Sequence, residues 1–123
     1  MNKQMLKQIS ELKVGDLIHV QWSDASIGKS LQGGSIDVPV YSYGLYLGCL
    51  GEKKKHIILA QNSFKYANGF YDIDYTAIPV DWSLEIRVVK PGEVDEDTAN
   101  SLLRSFLQGN NRTLKRRLRN HDG

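Results

Sequence analysis

Residues 37–51, DVPVYSYGLYLGCLG, set the tightest limit on how this chain can fold. In an extended strand Val38, Val40, Ser42, Gly44, Tyr46 and Gly48 fall on one face. Tyr41, Tyr43, Leu45, Leu47 and Cys49 fall on the other. Small residues alternate with large ones along the run. Gly44 and Gly48 suit a strand that bends sharply or lies close against another backbone, as the strands of a small curved barrel must.

The flanking runs fit the same scheme. Gly15-Asp16 is a turn signal ahead of LIHVQW, where Ile18, Val20 and Trp22 alternate with His19 and Gln21. Residues 23–36, SDASIGKSLQGGSI, have no periodicity and many Gly and Ser, so they read as a long loop. GEKK after Leu50 is a hairpin turn. KHIILAQNSF follows, apolar on both faces at Ile57, Ile58, Leu59 and Ala60, which predicts a central strand. Asn68-Gly69 is the strongest short hairpin signal. Beyond it Tyr71, Ile73, Tyr75 and Ala77 alternate with Asp72, Asp74 and Thr76. PVDWS predicts a tight turn, with room for one 3₁₀ turn. LEIRVVK is a fifth strand with Leu84, Ile86 and Val88 on one face, ended by Pro91-Gly92. Five short strands at this spacing predict a mainly β fold, a small, strongly bent antiparallel barrel.

Two helices flank the strands. Met5, Ile9 and Leu12 lie at helical spacing within residues 2–12. At the other end Asp95 can cap a helix, and Asp95, Glu96 and Asp97 suit its positive end. Ala99, Leu102, Leu103, Phe106 and Leu107 form an amphipathic stripe, and Gly109 is a natural stop. Residues 112–123 could extend as a further basic turn or lie disordered. The expected organisation is a barrel with its N-terminal helix over 1–92 and a C-terminal helix with a basic tail over 93–123.

At 123 residues such a domain buries a core without staples. No run is long and apolar enough for a membrane span, and MNKQMLKQISELK has no signal-peptide h-region. A cytoplasmic protein with no membrane partner is expected. Cys49 is the sole cysteine, which excludes an intrachain disulfide. Charge is unevenly placed. Residues 1–111 hold 11 Lys and Arg against 13 Asp and Glu, for −2. Residues 112–123 hold five cations against Asp122, for +4.

The pieces V-x-W-x-D-A at Val20, Trp22, Asp24 and Ala25, P-V-x-S-x-G at Pro39, Val40, Ser42 and Gly44, I-I-L-A-Q-N at Ile57 to Asn62, and I-P at Ile78-Pro79, ahead of Ile86, span roughly residues 14–90. This series resembles a group of small Sm-like β-barrel proteins from phages and marine metagenomes. The resemblance implies an Sm-like or SH3-like barrel that forms rings through edge-strand pairing, with nucleic acid as a ligand. It brings no catalytic residues. The Asp and Asn before one strand and the later Arg-Gly pair, which serve RNA binding in Sm proteins, have no counterpart in KKKHIILAQN and TAIPVDWS.

Candidate chemistry is sparse. Asp24 stands beside Ser23 and Ser26, but no nucleophile motif surrounds it, and an Asp just past a strand ordinarily closes an Asx-turn while Trp22 anchors the strand end. His19, His56 and His121 lack metal-ligand spacing, although His19 and His56 lie on strands that could bring them together. Gly28-Lys29-Ser30 lacks the earlier glycine of a phosphate loop. No catalytic residue, metal or cofactor is expected. Lys53, Lys54 and Lys55 at a hairpin tip are either a solvated turn or a phosphate contact. Arg112, Lys115, Arg116, Arg117 and Arg119 can neutralise several phosphates. Alternatively the tail is solubilising, or meets an acidic protein surface. Tyr41, Tyr43, Tyr46, Tyr66, Phe70, Tyr71 and Tyr75 are either core and subunit contacts or base-stacking rings. The expectation is a non-enzymatic module that binds RNA or single-stranded DNA as a homo-oligomeric ring. The alternative is a phage-type structural or assembly protein that binds other proteins.

Overall fold

The structure, a computed structural model, describes residues 3–24 and 38–122, apart from the side chains of Asp24 and residues 110–122. Helix α1 spans Lys3–Ser10. Strands β1 (Leu17–Asp24), β2 (Val38–Leu50), β3 (His56–Lys65) and β4 (Tyr71–Pro79) follow. A 3₁₀ turn at Val80–Trp82 leads to β5 (Ser83–Lys90) and then to helix α2 (Glu96–Asp122). The strands form one antiparallel sheet in the order β4-β3-β2-β1-β5.

That order forces the sheet to curl. β4 and β5 lie at opposite edges, four strand spacings apart, or about 19 Å across a flat sheet. Only the three residues of the 3₁₀ turn join them. Four Cα steps reach about 14 Å at full extension, and a 3₁₀ turn reaches less. The edges are therefore drawn toward each other, and the mainly β, strongly bent five-stranded architecture expected from the sequence is present. The curl stops short of closure: β4 and β5 do not pair with each other.

Inside the curl lies one core. Ile18, Val20 and Trp22 of β1, Tyr46 of β2, Ile57 and Leu59 of β3, Ile78 of β4 and Val80 form it, with Ile86 of β5 packed alongside. Helix α1 plugs one side with Met5 and Ile9, and Leu12 packs just beyond it. A second core lies on the outer face, where Leu102 and Phe106 of α2 cover Leu47, Ile58 and Ala60. β3 thus contributes Ile57 and Leu59 inward and Ile58 and Ala60 outward, as a central strand should.

Three expectations are corrected, two of them by irregularities in pairing. Tyr46 pairs with Leu59 and Gly48 with Ile58, so Leu47 is an extra residue in β2. Gly48 takes φ +140°, a conformation that side chains resist. The bulge reverses the alternation, so Cys49 packs inward beside Tyr46's core and not outward with Leu47. Leu84 is likewise extra in β5, between Glu85 opposite Gln21 and Ser83 opposite Trp22, and it stands 58% exposed apart from Ile86. Gly109 does not stop α2, which continues to Asp122. One glycine costs a helix about 1 kcal/mol, and the Leu, Lys and Arg that follow are good helix formers.

Two further local signals fold as expected. The Asp95 carboxylate accepts the Thr98 N–H at 2.7 Å and caps α2. Hydrogen bonding from the Thr98 side chain first, and from this backbone N–H second, holds the Asp95 carboxyl below its ordinary pKa. At Asn68-Gly69 the β3–β4 hairpin closes with Tyr66 N–H donating to the Phe70 carbonyl and Phe70 N–H to the Asn68 side chain.

Candidate functional site

The three-lysine turn joins β2 to β3, and all three side chains are exposed. The corner between β4 and β5 folds against this turn, because the Val80 N–H donates to the Lys55 carbonyl at 3.0 Å. His56 Nδ1 lies 3.1 Å from the Lys54 carbonyl. A carbonyl only accepts, so this bond places the ring proton on Nδ1. Between turn and corner opens a cleft of about 270 Å³, lined by Lys53, Lys54, Lys55, His56, Asp81 and Trp82 among others. Trp82 remains 42% exposed and lies nearly parallel to buried Trp22, ring centres 6.3 Å apart. Trp22 is fixed in turn by its indole N–H, which donates to Ser42 Oγ at 3.0 Å.

Lysines and an exposed indole in one cleft combine charge with a stacking surface. Such a combination suits a phosphate-bearing ligand with a planar base. Asp81 and the exposed Glu52 on the same turn offset part of the charge. Sequence reading singled out the lysines but not Trp82. Its place beside them follows from the docking of the β4–β5 corner on the lysine turn, which the PVDWS turn signal alone does not announce.

The backbone of Arg112, Lys115, Arg116, Arg117 and Arg119 belongs to α2, but their side chains lie outside the described residues, as do Asp24's side chain and residues 25–37. The Asx-turn expected at Asp24 and the reading of Gly28-Lys29-Ser30 fall there too. Trp22 does anchor the end of β1, as expected.

The two histidines on neighbouring runs take different partners. His56 engages Lys54, whereas His19 packs against Tyr41 and Tyr43 on the outer face of β1 and β2. Among the described residues no three His, Cys, Asp or Glu side chains cluster as metal ligands. Cys49 is half-buried, and burial pushes its thiol above the ordinary value, against the pull of Lys55. A thiol shifted that way is a poor nucleophile at neutral pH. No helix among the described residues is long and apolar enough to cross a membrane.

Neither a family model, nor a curated protein, nor a solved structure matches the chain.

Proposed function

We propose that this chain is a non-enzymatic nucleic-acid-binding module of the Sm-like kind, acting as a homo-oligomeric ring on RNA or single-stranded DNA. The observation that carries the reading is the cleft in which Lys53, Lys54 and Lys55 meet the exposed ring of Trp82. The lysines supply the sequence-independent attraction to phosphate, and the indole supplies a surface for a base. The +4 segment 112–123 adds cations to the same chain. Among the described residues no strand pairs with the outer edges of β4 and β5, which supports the ring, since such an edge offers backbone groups to the opposite edge of a second copy, the Tyr71 N–H, which Ser105 Oγ takes, excepted.

Fluorescence anisotropy with labelled single-stranded RNA and DNA at low salt tests the reading. Binding should weaken linearly in log–log form as salt rises. Removing residues 112–123, or replacing Lys53, Lys54 and Lys55 with alanine, should weaken binding and flatten that slope. Absence of any binding at low salt sinks the proposal.

One observation favours a second reading as an assembly protein. Leu84, Val88 and Val89 leave apolar surface exposed along β5, whose outer edge pairs with no strand among the described residues, and this suits pairing with protein. Light scattering beside the anisotropy measurement separates the two, because an oligomer that ignores nucleic acid fits only the second.

A further inference from the structure

Across the outer face of β2, β1 and β5 the register sets Tyr43 opposite His19 and His19 opposite Arg87. Two residues along, Tyr41 stands opposite Gln21 and Gln21 opposite Glu85. Residues directly opposite in an antiparallel sheet share a face. The first row is therefore a phenol, an imidazole and a guanidinium in succession, three planar π groups. The second row pairs a phenol with an amide and a carboxylate. The rings are already in contact: His19 runs parallel to Tyr41 within 9° at 5.8 Å and lies 4.5 Å from Tyr43 at a tilt of 41°.

This face is open. Tyr41 and Tyr43 keep 59% and 54% of their surface in water. Helix α2 covers the sheet elsewhere, over β4 and the Leu47 end of β2. Arg87 is exposed and makes no ion pair among the described residues, whereas nearby Lys90 is held by Glu93 at 3.1 Å. The centre of a protein–protein patch is depleted of charge. Here each ring adjoins a charged or hydrogen-bonding side chain, and the one exposed cation in the aromatic row is a guanidinium, which both stacks and binds phosphate. Sheet-borne aromatics that stack unpaired bases are a recurring solution in RNA-binding modules.

We propose that Tyr41, Tyr43 and His19 form a stacking platform for the unpaired bases of a single-stranded nucleic acid, with Arg87 meeting its backbone. This rests on the nucleic-acid reading above and assigns it a second contact surface, apart from the lysine cleft. Beside Tyr43 opens a cleft of about 440 Å³ whose wall carries Gln61, Asn62 and Ser63. The Gln61 amide N–H already donates to the Tyr43 carbonyl at 3.4 Å, which leaves the Gln61 amide oxygen, the Asn62 amide and the Ser63 hydroxyl for the edge of a base stacked on Tyr43. In a duplex the base faces are already covered by their neighbours, so the platform selects single strands.

The test compares a labelled oligothymidylate with a labelled duplex of similar charge, using the full chain. Replacing Tyr41 and Tyr43 together with alanine should weaken single-strand binding about 10-fold or more, as loss of stacking rings ordinarily does. Duplex binding and the salt slope should stay unchanged, because no phosphate contact is removed. Tyr43→Phe should bind within about twofold of the parent while Tyr43→Leu does not, since either ring stacks and an aliphatic side chain does not. That pair carries the test should the double variant fail to fold. If the parent binds single strands and the alanine or leucine variants bind them equally well, the platform is overturned and the lysine cleft stands alone. If the parent binds neither ligand, both proposals fall.

Discussion

The Asp16 carboxylate accepts the N–H of Gly92 at 2.9 Å, joining the residue before β1 to the turn that ends β5. Its other oxygen accepts the Lys13 N–H at 3.0 Å, and the side chain is buried. The backbone at this point ties in β2 as well, with Tyr46 N–H donating to the Asp16 carbonyl and Gly15 N–H to the Tyr46 carbonyl. Gly15-Asp16, read from sequence as a simple turn signal, is the point where three separated segments are held together.

Asp16→Ala removes the acceptor of two backbone N–H groups at once. The expected cost is about 2–4 kcal/mol, since two part-buried hydrogen bonds to a charged group, the stronger kind, are lost together. Asp16→Asn keeps one oxygen acceptor and should lose less. Urea unfolding followed by circular dichroism measures both. An alanine variant as stable as the parent contradicts the bracing role.

Trp22 and Ser42 give a second stability test. Ser42→Ala leaves a buried indole N–H without its partner, at an expected cost of about 1–3 kcal/mol. Because Trp22 also stacks on Trp82, the loss should carry to the lysine cleft and lower single-strand affinity. A cycle of Ser42→Ala with Trp22→Phe isolates the hydrogen bond. Coupling near zero means that the bond does not organise the cleft.

Much of the fold was legible because its signals are local. The alternation in β1, the two-faced apolar run of β3, the Asn68-Gly69 hairpin and the Asp95 cap all depend on residues a few positions apart. The bulge at Leu47 was not legible. The two glycines announced a sharp bend, but which residue drops out of the pairing is settled only when β3 docks, and that slip turned Cys49 inward. The lysine turn could be read as a site, but Trp82 could not be placed beside it. Tyr43, His19 and Arg87 come from three strands, so their row exists only once the register is set.

Gly44 is where close backbone approach can be tested. A Cβ built there would stand 2.9 Å from the Ala60 carbonyl oxygen and 3.0 Å from the Leu59 Cβ. Neither atom is the end of a flexible side chain, so β2 and β3 must separate. Gly44→Ala should destabilise by about 1–3 kcal/mol, as overpacking does. Thermal unfolding reads the effect. A variant that melts with the parent contradicts this close packing.

Tyr46 predicts how the fold responds to alkali. Burial pushes its phenol up to about 12 from an ordinary 10, and repulsion from a Cys49 thiolate adds to the rise. Below pH 10 the phenol is protonated in both folded and unfolded chains, so it has no effect on stability. Between pH 10 and 12 the unfolded chain releases the proton while the folded chain keeps it. The unfolded state then binds fewer protons, and stability falls as pH rises. The accumulated loss by pH 12 is roughly 2 kcal/mol, because one proton released by the unfolded chain alone costs about 1.4 kcal/mol for each pH unit crossed and the titration is gradual at both ends of the window. Cys49 acts in the same direction, starting nearer its own ordinary value. Tyr46→Phe should therefore flatten the decline above pH 10, and Cys49→Ala should flatten its earlier part. Denaturant midpoints measured from pH 8 to 12 check both, and an unchanged profile in Tyr46→Phe contradicts the assignment to Tyr46.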